Sequence, residues 1–321
     1  MKIKKTNRNL ILSLIGLVIL AGAIYLLLNH RNILTITLYI RFPKLLAFIL
    51  VAVCTSFTTV TFQTMTQNNL LTPNIIGIDS LYVLFQTLLF FIFSRQAVLH
   101  TSPITNFMIS VMLTTVLSLF AYRFFSRKFP GRIFVLLMFG LVFNTFAESV
   151  TTFLQIIMDP NEYSQVLSRT LTSFNHVNTS LLGITFLITT PCILYLFSKN
   201  KELDVIHLGR DYATSLGIAV KREFFSYLLV LTIMTASVTA LVGPTSFLGF
   251  LGANITYRLF STYEHRYLFM GSSLVTLVFI LAGQTIVEHV FQTQTTLSVV
   301  INFIGGLYFI FLLLKERSEM E

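Results

Sequence analysis

The sequence predicts an all-α polytopic membrane protein, and its composition is the first reason. Hydrophobic residues make up 55% of the 321 residues, only 11% are charged, and the mean hydropathy is +0.79. A soluble domain carries about a quarter charged residues, because its surface must face water. A chain with less than half that share has too little polar surface, so its apolar side chains are expected to face lipid.

Apolar stretches that can span a bilayer recur along the whole chain. A spanning helix needs about 20 apolar residues, and continuous apolar runs of this kind favour a helical bundle over an alternating outer-membrane barrel. The eighth run is short and contains glycine, so nine spans are the alternative to ten. The ten runs are 10–28, 44–64, 75–93, 104–124, 132–153, 178–198, 224–242, 246–260, 267–287 and 297–314.

The uneven distribution of Lys and Arg predicts the orientation. Cytoplasmic loops of membrane proteins carry an excess of these residues. With ten helices and a cytoplasmic N-terminus, Arg31, Arg41, Lys44, Arg95 and Arg169 fall outside, and the other 17 of the 22 fall inside. We therefore expect one transmembrane domain over residues 1–321, with both termini in the cytoplasm. Run 10–28 is longer than a signal-peptide core and is expected to be retained.

A polar segment at residues 199–223 interrupts the apolar pattern on the predicted inner side. It is too long for a turn, and its apolar residues recur at helical spacing between Gly209 and Gly217. Two short amphipathic helices at the membrane surface are therefore expected. A second polar segment, 159–178, lies on the predicted outer side, and Met158-Asp159-Pro160-Asn161 at its start is typical of a helix stop.

Several function classes are not expected from the sequence. It has no nucleotide-binding loop, no dinucleotide fingerprint and no metal-ligand cluster with usable spacing, so neither an enzyme nor a resident metal or cofactor is expected. The net charge of +9 lacks a basic face or soluble domain to carry it, which argues against nucleic acid as a partner. If ATP powers this protein, a separate subunit hydrolyses it.

Four stretches between Arg41 and Leu314 resemble one family of permeases. They are Arg41-Phe42-Pro43-Lys44 followed by 67–77 (QNNLLTPNIIG), 207–218 (HLGRDYATSLGI), 243–258 (GPTSFLGFLGANITYR) and 283–309 (GQTIVEHVFQTQTTLSVVINFIGGLYF). Together they are similar to the iron–siderophore and cobalamin-type ABC transporter permeases, the FecCD family, and to its Gram-positive branch for catecholate and petrobactin-like siderophores. Lys44, Asn69 and Asn254 stand where most members have Arg, Pro and His.

The resemblance implies that outward basic residues dock a partner. Arg41 and Lys44 match a basic pair that, in the family, contacts acidic side chains of a substrate-binding lipoprotein, and His289 lies near a third basic position. Lys44 keeps the charge but lacks the planar fork that binds a carboxylate with two bonds. The alternatives are that the two cations anchor helix ends in lipid headgroups, and that His289 is a neutral capping residue.

Residues 207–218 resemble the family segment that sits in a groove of the ATPase. Movement of a soluble motor has to reach the membrane helices through a structured contact, which short helices between glycine turns provide. An amphipathic loop at the headgroups is the alternative. The expected coupling residues are Leu208, Gly209, Arg210, Asp211, Ala213, Leu216 and Gly217.

A further group of residues is expected at the translocation path or its gate. Asn144 and Glu148 share one helix face, and an ionisable residue at membrane depth is costly, so they either line the path or bond a neighbouring helix. The other candidates follow from the resemblance, and for them helix packing or a solvated loop is the alternative. The candidates are Asn144, Glu148, Ser173, Gly243, Pro244, Phe247 and Gly249.

The resemblance implies a cobalamin-permease-like bundle that serves as the transport subunit of an ABC importer for ferric siderophores. Its expected partners are a cytoplasmic ABC ATPase, an extracellular binding lipoprotein, the bilayer of the cell membrane and a second permease, a paralogue forming a heterodimer. Haem or cobalamin is the alternative cargo. An ion-coupled secondary transporter is the rival class, but for it the structured inner segment has no purpose.

Overall fold

A computed structural model describes residues 2–27, 34–92, 102–128, 133–171, 174, 178–292 and 294–320, and within these ranges the fold is helical. Thirteen α-helices and a short 3-10 helix (Pro73–Ile76) are present in the described ranges. The α-helices are α1 (Lys2–Leu27), α2 (Leu34–Thr66), α3 (Ile78–Ile92), α4 (Pro103–Lys128), α5 (Ile133–Ile157), α6 (Pro160–Thr170), α7 (Thr179–Ser198), α8 (Asn200–His207), α9 (Arg210–Ser215), α10 (Val220–Val242), α11 (Leu248–Leu259), α12 (His265–His289) and α13 (Leu297–Met320).

Seven helices in the described ranges are long and apolar enough to cross a membrane: α1, α2, α4, α5, α7, α10 and α12. Shorter apolar segments occur in α3 and α13, at Ile78–Ile92 and Leu297–Leu312. The prediction of an all-α membrane protein is confirmed. The count of ten spans and the cytoplasmic termini remain predictions, because length and composition alone do not decide whether α3, α11 and α13 cross.

Helix α2 lies inside the bundle, whereas α1 lies at its edge. The spanning segment of α2 is 72% buried and that of α1 only 6%. Residues 54–66 of α2 (CTSFTTVTFQTMT) are mostly small or hydroxylated, and small residues allow helices in a membrane to approach closely. The hydroxyls of Thr55 and Thr58 donate to carbonyls one turn back in the same helix, so they are buried with a partner.

The short helix α11 packs against both α2 and α12. A methyl group on Gly249 would meet the Thr59 hydroxyl and lie 2.7 Å from the Thr55 carbonyl oxygen of α2. A methyl group on Gly252 would meet the hydroxyl of Thr276 on α12. Two glycines one turn apart, on adjoining parts of one helix face, thus allow α11 to pack closely against both α2 and α12.

Three element boundaries differ from the sequence prediction. The second span was expected from residue 44, but α2 begins at Leu34, so Arg41 and Lys44 lie inside a helix that also contains Pro43. The apolar residues 34–40 continue the helix beyond the strongly apolar window. Helix α13 likewise extends beyond residue 314, because hydropathy marks lipid burial rather than helix length. Residues 160–170 form α6, which begins at the N-cap Asp159 after the predicted stop.

Candidate functional site

A cluster of five residues, called the Glu288 cluster below, joins α1, α2 and α12. Glu288 lies 3.4 Å from an Arg41 nitrogen and 3.8 Å from the Lys44 nitrogen. The Tyr25 hydroxyl (3.2 Å) and the Gln284 amide (2.9 Å) also donate to Glu288. Arg41 further donates to the Tyr25 carbonyl, and its guanidinium lies 4.8 Å from the centre of the Tyr25 ring. The predicted docking pair therefore shares one carboxylate.

The docking residues differ in their burial. The Arg41 side chain is 8% exposed and that of Lys44 is 16% exposed, so neither extends freely into solvent. In His289, Nε2 is buried and has no hydrogen-bond partner among the described residues. Glu288 received no role from the sequence. It could have been found from the sequence, because it is an acidic residue at the end of a predicted span and lies on the same predicted side as the cations Arg41 and Lys44.

The opposite end of α2 and α12 holds a second polar group, the His265 cluster of Thr64, Asp204 and His265. The fully buried His265 ring places Nδ1 2.6 Å from an Asp204 carboxylate oxygen and Nε2 2.7 Å from the Thr64 hydroxyl. The same Asp204 oxygen accepts the backbone N–H of His265 at 2.7 Å. A negative charge at the first turn of a helix is favourable. No sequence motif had singled out these three residues.

Helices α2 and α12 run antiparallel between these two clusters and are bonded along their length. Near the middle, the hydroxyls of Ser56 and Thr276 lie 2.9 Å apart. The rings of Phe57 and Phe269 stack with centroids 4.2 Å apart and an interplanar angle of 7°. The two helices, with a bonded cluster at each end, form what we call the α2–α12 pair.

The two short helices predicted within residues 199–223, here called the coupling segment, are present as α8 and α9. Gly209 separates them with a φ of +115°, which L side chains rarely adopt. Gly217 ends α9 at a φ of +85°, with Ile218 N–H donating to the Ala213 carbonyl and Gly217 N–H to the Thr214 carbonyl. This is the Schellman arrangement, in which glycine ends a helix.

The coupling segment has one buried face and one exposed face. Leu203, Ile206 and Ala213 are buried against the membrane helices. The exposed fractions of Leu208, Tyr212 and Leu216 are 56%, 68% and 66%. These three residues recur every fourth position. The buried face matches the amphipathic pattern. The exposed row places three large apolar side chains together in contact with solvent, which is typical of a surface that binds a partner.

The other predicted coupling residues occupy the same segment. Asp211 is exposed in the first turn of α9, and Arg210 is its first residue. The neighbouring His207 is exposed, and its ring lies 6.1 Å from that of His265. Partial desolvation lowers the pKa of His207, and the nearby His265 adds to this lowering.

The structure brings Asn144 and Glu148 together with Ser80 of α3. The Ser80 hydroxyl lies 2.5 Å from the Asn144 amide oxygen and 3.1 Å from Glu148, and the Asn144 amide donates to Glu148 at 3.0 Å. Glu148 is nevertheless exposed near the middle of α5, as are Thr145 and Ser149. These hydrogen bonds to Ser80 agree with the alternative in which Asn144 and Glu148 bond a neighbouring helix, whereas their lining of the path stays a prediction. Ser173 lies outside the described residues.

The remaining path candidates surround the start of α11. Gly243 ends α10 at a φ of +92°, followed by Pro244. Phe247 packs against α13 at Gly305, where an added methyl group would lie 2.6 Å from the Phe247 Cβ. Gly249 borders a small open pocket, and most of the polar lining of this pocket is hydroxyl side chains. These are Thr55, Thr58, Thr59, Thr72, Thr235, Thr245 and Ser246.

A buried carboxylate, Asp79, lies beside this pocket and was assigned no role from the sequence. It is 7% exposed, accepts a hydrogen bond from Thr239 at 2.7 Å, and lies 3.5 Å from the Ser246 hydroxyl. Asp79 is in the first turn of α3, where the helix N-terminus favours a negative charge. Its partners come from α10 and from the turn before α11, so it ties three elements together.

Comparison with known proteins agrees with this arrangement. The sequence profile of the FecCD transport family matches residues 9–315. The petrobactin import system permease protein YclO of Bacillus subtilis is 40% identical over 313 residues, covering 98% of this chain and 99% of that protein. The petrobactin import system permease protein FatC of Bacillus anthracis is 31% identical over 278 residues, covering 87% and 78%.

A solved structure shares the fold. It is described as an inward-facing conformation of a metal-chelate type ABC transporter, and it superposes with a TM-score of 0.83 at 19% identity. The superposition covers 96% of this chain and 99% of that one. At this identity the likeness shows that the helices are arranged in the same way.

Proposed function

The chain belongs to the FecCD transport family, and from that premise we propose that it is the membrane-spanning permease subunit of an ABC importer for ferric siderophores. The observation that carries the mechanism is the exposed apolar row of Leu208, Tyr212 and Leu216 on the coupling segment. A permease of an ATP-driven importer whose own sequence has no nucleotide-binding loop needs an ATPase from outside, and an exposed apolar surface of this kind binds protein partners.

The cargo proposed is a ferric complex of a catecholate or petrobactin-like siderophore. Two similar permeases are named for petrobactin import, and one of them matches over nearly its full length. Ferric haem and cobalamin are the alternatives within the same transport mode.

The coupling segment is proposed to bind a cytoplasmic ATPase. Its buried face attaches it to the membrane helices, and its exposed row of Leu208, Tyr212 and Leu216 is free to enter a groove. The glycine turns at 209 and 217 hold both helices at defined angles. A displacement of the ATPase is then passed on as a rigid movement rather than absorbed by a loop.

Arg41 and Lys44 are proposed to dock an extracellular binding lipoprotein, with His289 beside them. Because Glu288 already bonds both cations, an incoming carboxylate has to share them with Glu288. Lys44 has the more exposed side chain of the two, so we propose that it makes the first contact.

A Lys44→Ala variant is expected to bind the lipoprotein more weakly, and its affinity is expected to depend less on salt concentration, because one charge pair is lost. Titration with the purified binding protein at several salt concentrations measures both effects.

A second permease is proposed to cover the exposed polar face of α5. Lipid does not solvate a carboxylate such as Glu148, so this face requires a polar or protein-lined neighbour. Two permeases meeting there would enclose a path lined by Asn144 and Glu148, with the turn from Gly243 to Gly249 near its gate. We propose that the second permease is a paralogue.

The proposed topology has ten spans and cytoplasmic termini in the cell membrane. It adds α3, α11 and α13 to the seven long helices. It places the Glu288 cluster outside and the His265 cluster inside, consistent with the excess of Lys and Arg on the inner side.

Reconstitution tests the proposal directly. The permease, its ATPase, the second permease and the binding lipoprotein are placed in liposomes, and uptake of radiolabelled ferric siderophore is followed. We expect uptake that requires ATP, and no uptake in parallel assays with haem or cobalamin. Uptake driven by an ion gradient without a bound ATPase would contradict the proposal, and preferential uptake of haem would redirect the cargo assignment.

A further inference from the structure

We propose that Asp204, His265 and Thr64 form the joint that transmits movement of the coupling segment to the α2–α12 pair, with His265 as its positioning residue. The inference rests on the proposed function, because it assigns a role within ATP-driven transport. It concerns residues that no motif marked, and it places the transmission in hydrogen bonds rather than in apolar contact alone.

The joint brings three elements together at one buried ring. Asp204 belongs to α8 of the coupling segment, Thr64 to the last turn of α2, and His265 is the first residue of α12. The His265 ring is fully buried and bonds both of the others, at 2.6 and 2.7 Å. A shift of α8 therefore cannot occur without moving the ring or breaking one of these bonds.

The bonds persist in either protonation state of His265. A carboxylate only accepts, so Nδ1 carries a hydrogen and donates it to Asp204. A neutral ring then accepts from the Thr64 hydroxyl at Nε2, whereas a charged ring donates to it. The Thr64 oxygen also lies 2.9 Å from the Val60 carbonyl, which accepts the hydroxyl hydrogen in the charged case.

A second contact holds the same segment to α2. The Gln67 amide donates to the Ile206 carbonyl at the end of α8, at 2.8 Å. Gln67 adopts a left-handed backbone with a φ of +54°, an uncommon conformation for a residue other than glycine. The end of α2 is therefore linked to the coupling segment directly through Gln67 and indirectly through the His265 ring.

The joint is placed to move a rigid body rather than a single helix. Ser56 with Thr276 and Phe57 with Phe269 link α2 to α12 near the middle, and Glu288 links them at the far end. From Thr64 to Arg41 the helix extends roughly 35 Å at 1.5 Å per residue, about the thickness of the bilayer core. A movement at Asp204 thus reaches the proposed docking surface through bonded helices.

The test uses paired threonines on α2. Thr64→Val removes the hydroxyl that meets His265, whereas Thr66→Val removes one that donates to carbonyls of its own helix. Each variant is assembled with the ATPase, the second permease and the binding lipoprotein in liposomes. Iron imported per ATP hydrolysed is measured, together with recovery of the assembled complex.

We expect Thr64→Val to reduce iron imported per ATP by about tenfold, the effect of losing one buried hydrogen bond to a polar or charged group. Thr66→Val is expected to stay within about twofold of the unaltered complex, and Thr64→Ser, which retains the hydroxyl, to restore the ratio. Equal ratios for Thr64→Val and Thr66→Val would overturn the proposal, as would failure of Thr64→Ser to differ from Thr64→Val.

A second variant tests whether the loss in Thr64→Val comes from the contact with His265 rather than from misfolding. His265→Asn retains a donor near the Nδ1 position for Asp204 but does not reach Thr64, so it breaks the same contact from the other side. The double variant with Thr64→Val is expected to be no worse than either single variant, since both remove one interaction. Additive losses would overturn the proposal. If the unaltered complex shows no ATP-driven uptake, the proposed function fails instead, whatever the variants do.

Discussion

At the scale of single residues, three acids in the described part of the chain that are mostly removed from solvent have partners on other elements. Glu288 bonds Arg41 and Lys44, Asp79 bonds Thr239, and Asp204 bonds His265. A charge taken out of water without a partner is costly, and the cost rises in lipid. Each acid therefore holds two or three elements together, so it contributes more to the stability of the fold than a surface carboxylate does.

Glu288→Ala is expected to lower the melting temperature in detergent by several degrees. It leaves Arg41 buried without its carboxylate, and breaking a buried ion pair costs about 3–5 kcal/mol. Differential scanning fluorimetry of the purified protein measures the shift.

The matched control is Glu264→Ala. Glu264 pairs with Arg266, whose side chain is 48% exposed, and surface pairs contribute less than about 1 kcal/mol. Equal shifts in the two variants would show that the Glu288 cluster does not stabilise the fold.

From the sequence, the glycines that form turns were identified correctly, but the ion pairs between distant residues were not. Gly209 and Gly217 were recognised as turns, because a positive φ demands glycine and the pattern around them is local. Arg41 and Lys44 were assigned to a partner protein, but the sequence did not reveal that Glu288 holds both. Their carboxylate lies more than 240 residues away, and no local pattern brings it near.

At the scale of elements, the closest helix contacts depend on missing side chains. Gly249 and Gly252 bring α11 against α2 and α12, whereas Gly183 of α7 has nothing within 4 Å of its would-be Cβ. The sequence shows all three as glycines inside apolar runs. Only the packing separates them, because a tight contact requires a neighbour that is distant in sequence.

Gly249→Ala is expected to destabilise the protein by about 1–3 kcal/mol, since the added methyl group overlaps Thr59 and the Thr55 carbonyl. Gly183→Ala is expected to be neutral or to stabilise by up to about 1 kcal/mol, because alanine favours the helix. Melting temperatures in detergent measure both. A larger loss for Gly183→Ala would contradict this account of the packing.

Gly209→Ala is expected to reduce ATP-driven uptake severely while the permease still inserts and folds. At a φ of +115° and a ψ of 155° alanine is strained, so α8 and α9 change their angle and the apolar row breaks. Uptake in liposomes with the ATPase present measures the effect.

The control for this change is Ser215→Ala at the exposed end of α9, where the backbone is helical. It is expected to retain uptake. Unchanged uptake with Gly209→Ala in an intact complex would count against the coupling role of the segment.

At the scale of the whole molecule, the proposed topology rests on how the polar clusters are distributed. The Glu288 cluster and the His265 cluster lie at opposite ends of the α2–α12 pair. The coupling segment is bonded to the His265 end. If that end is cytoplasmic, the basic loops and the proposed ATPase surface lie on the same side, as the distribution of Lys and Arg predicts.

Cysteine labelling tests this orientation. In intact cells, a membrane-impermeant thiol reagent is expected to label Asn161→Cys in α6 but not Ser215→Cys in α9. In inverted vesicles the result is expected to reverse. The native Cys54 is buried and Cys192 is partly buried, so the unaltered protein serves as the background. Labelling of Ser215→Cys from outside would contradict the proposed ten-span topology.

A heterodimer is expected when the permease is purified from its host. Affinity-tagged permease is expected to retain a paralogous permease in equal amount, because the exposed polar face of α5 must be covered in the membrane. Mass analysis of the intact complex measures the composition. A complex with this chain in both permease positions would contradict the heterodimer while leaving the import function in place.

By itself the sequence determined the class of the protein, its helical nature, its family and the glycine turns of the coupling segment. These depend on composition, on apolar periodicity and on short local motifs, which are properties of residues close in the chain. Only the packing of the helices shows that Glu288 pairs with both predicted docking cations, that His265 joins the coupling segment to α2, and that Gly249 and Gly252 are close contacts while Gly183 is not. These depend on which distant helices pack together, and in a largely apolar bundle many packings satisfy the same hydropathy pattern.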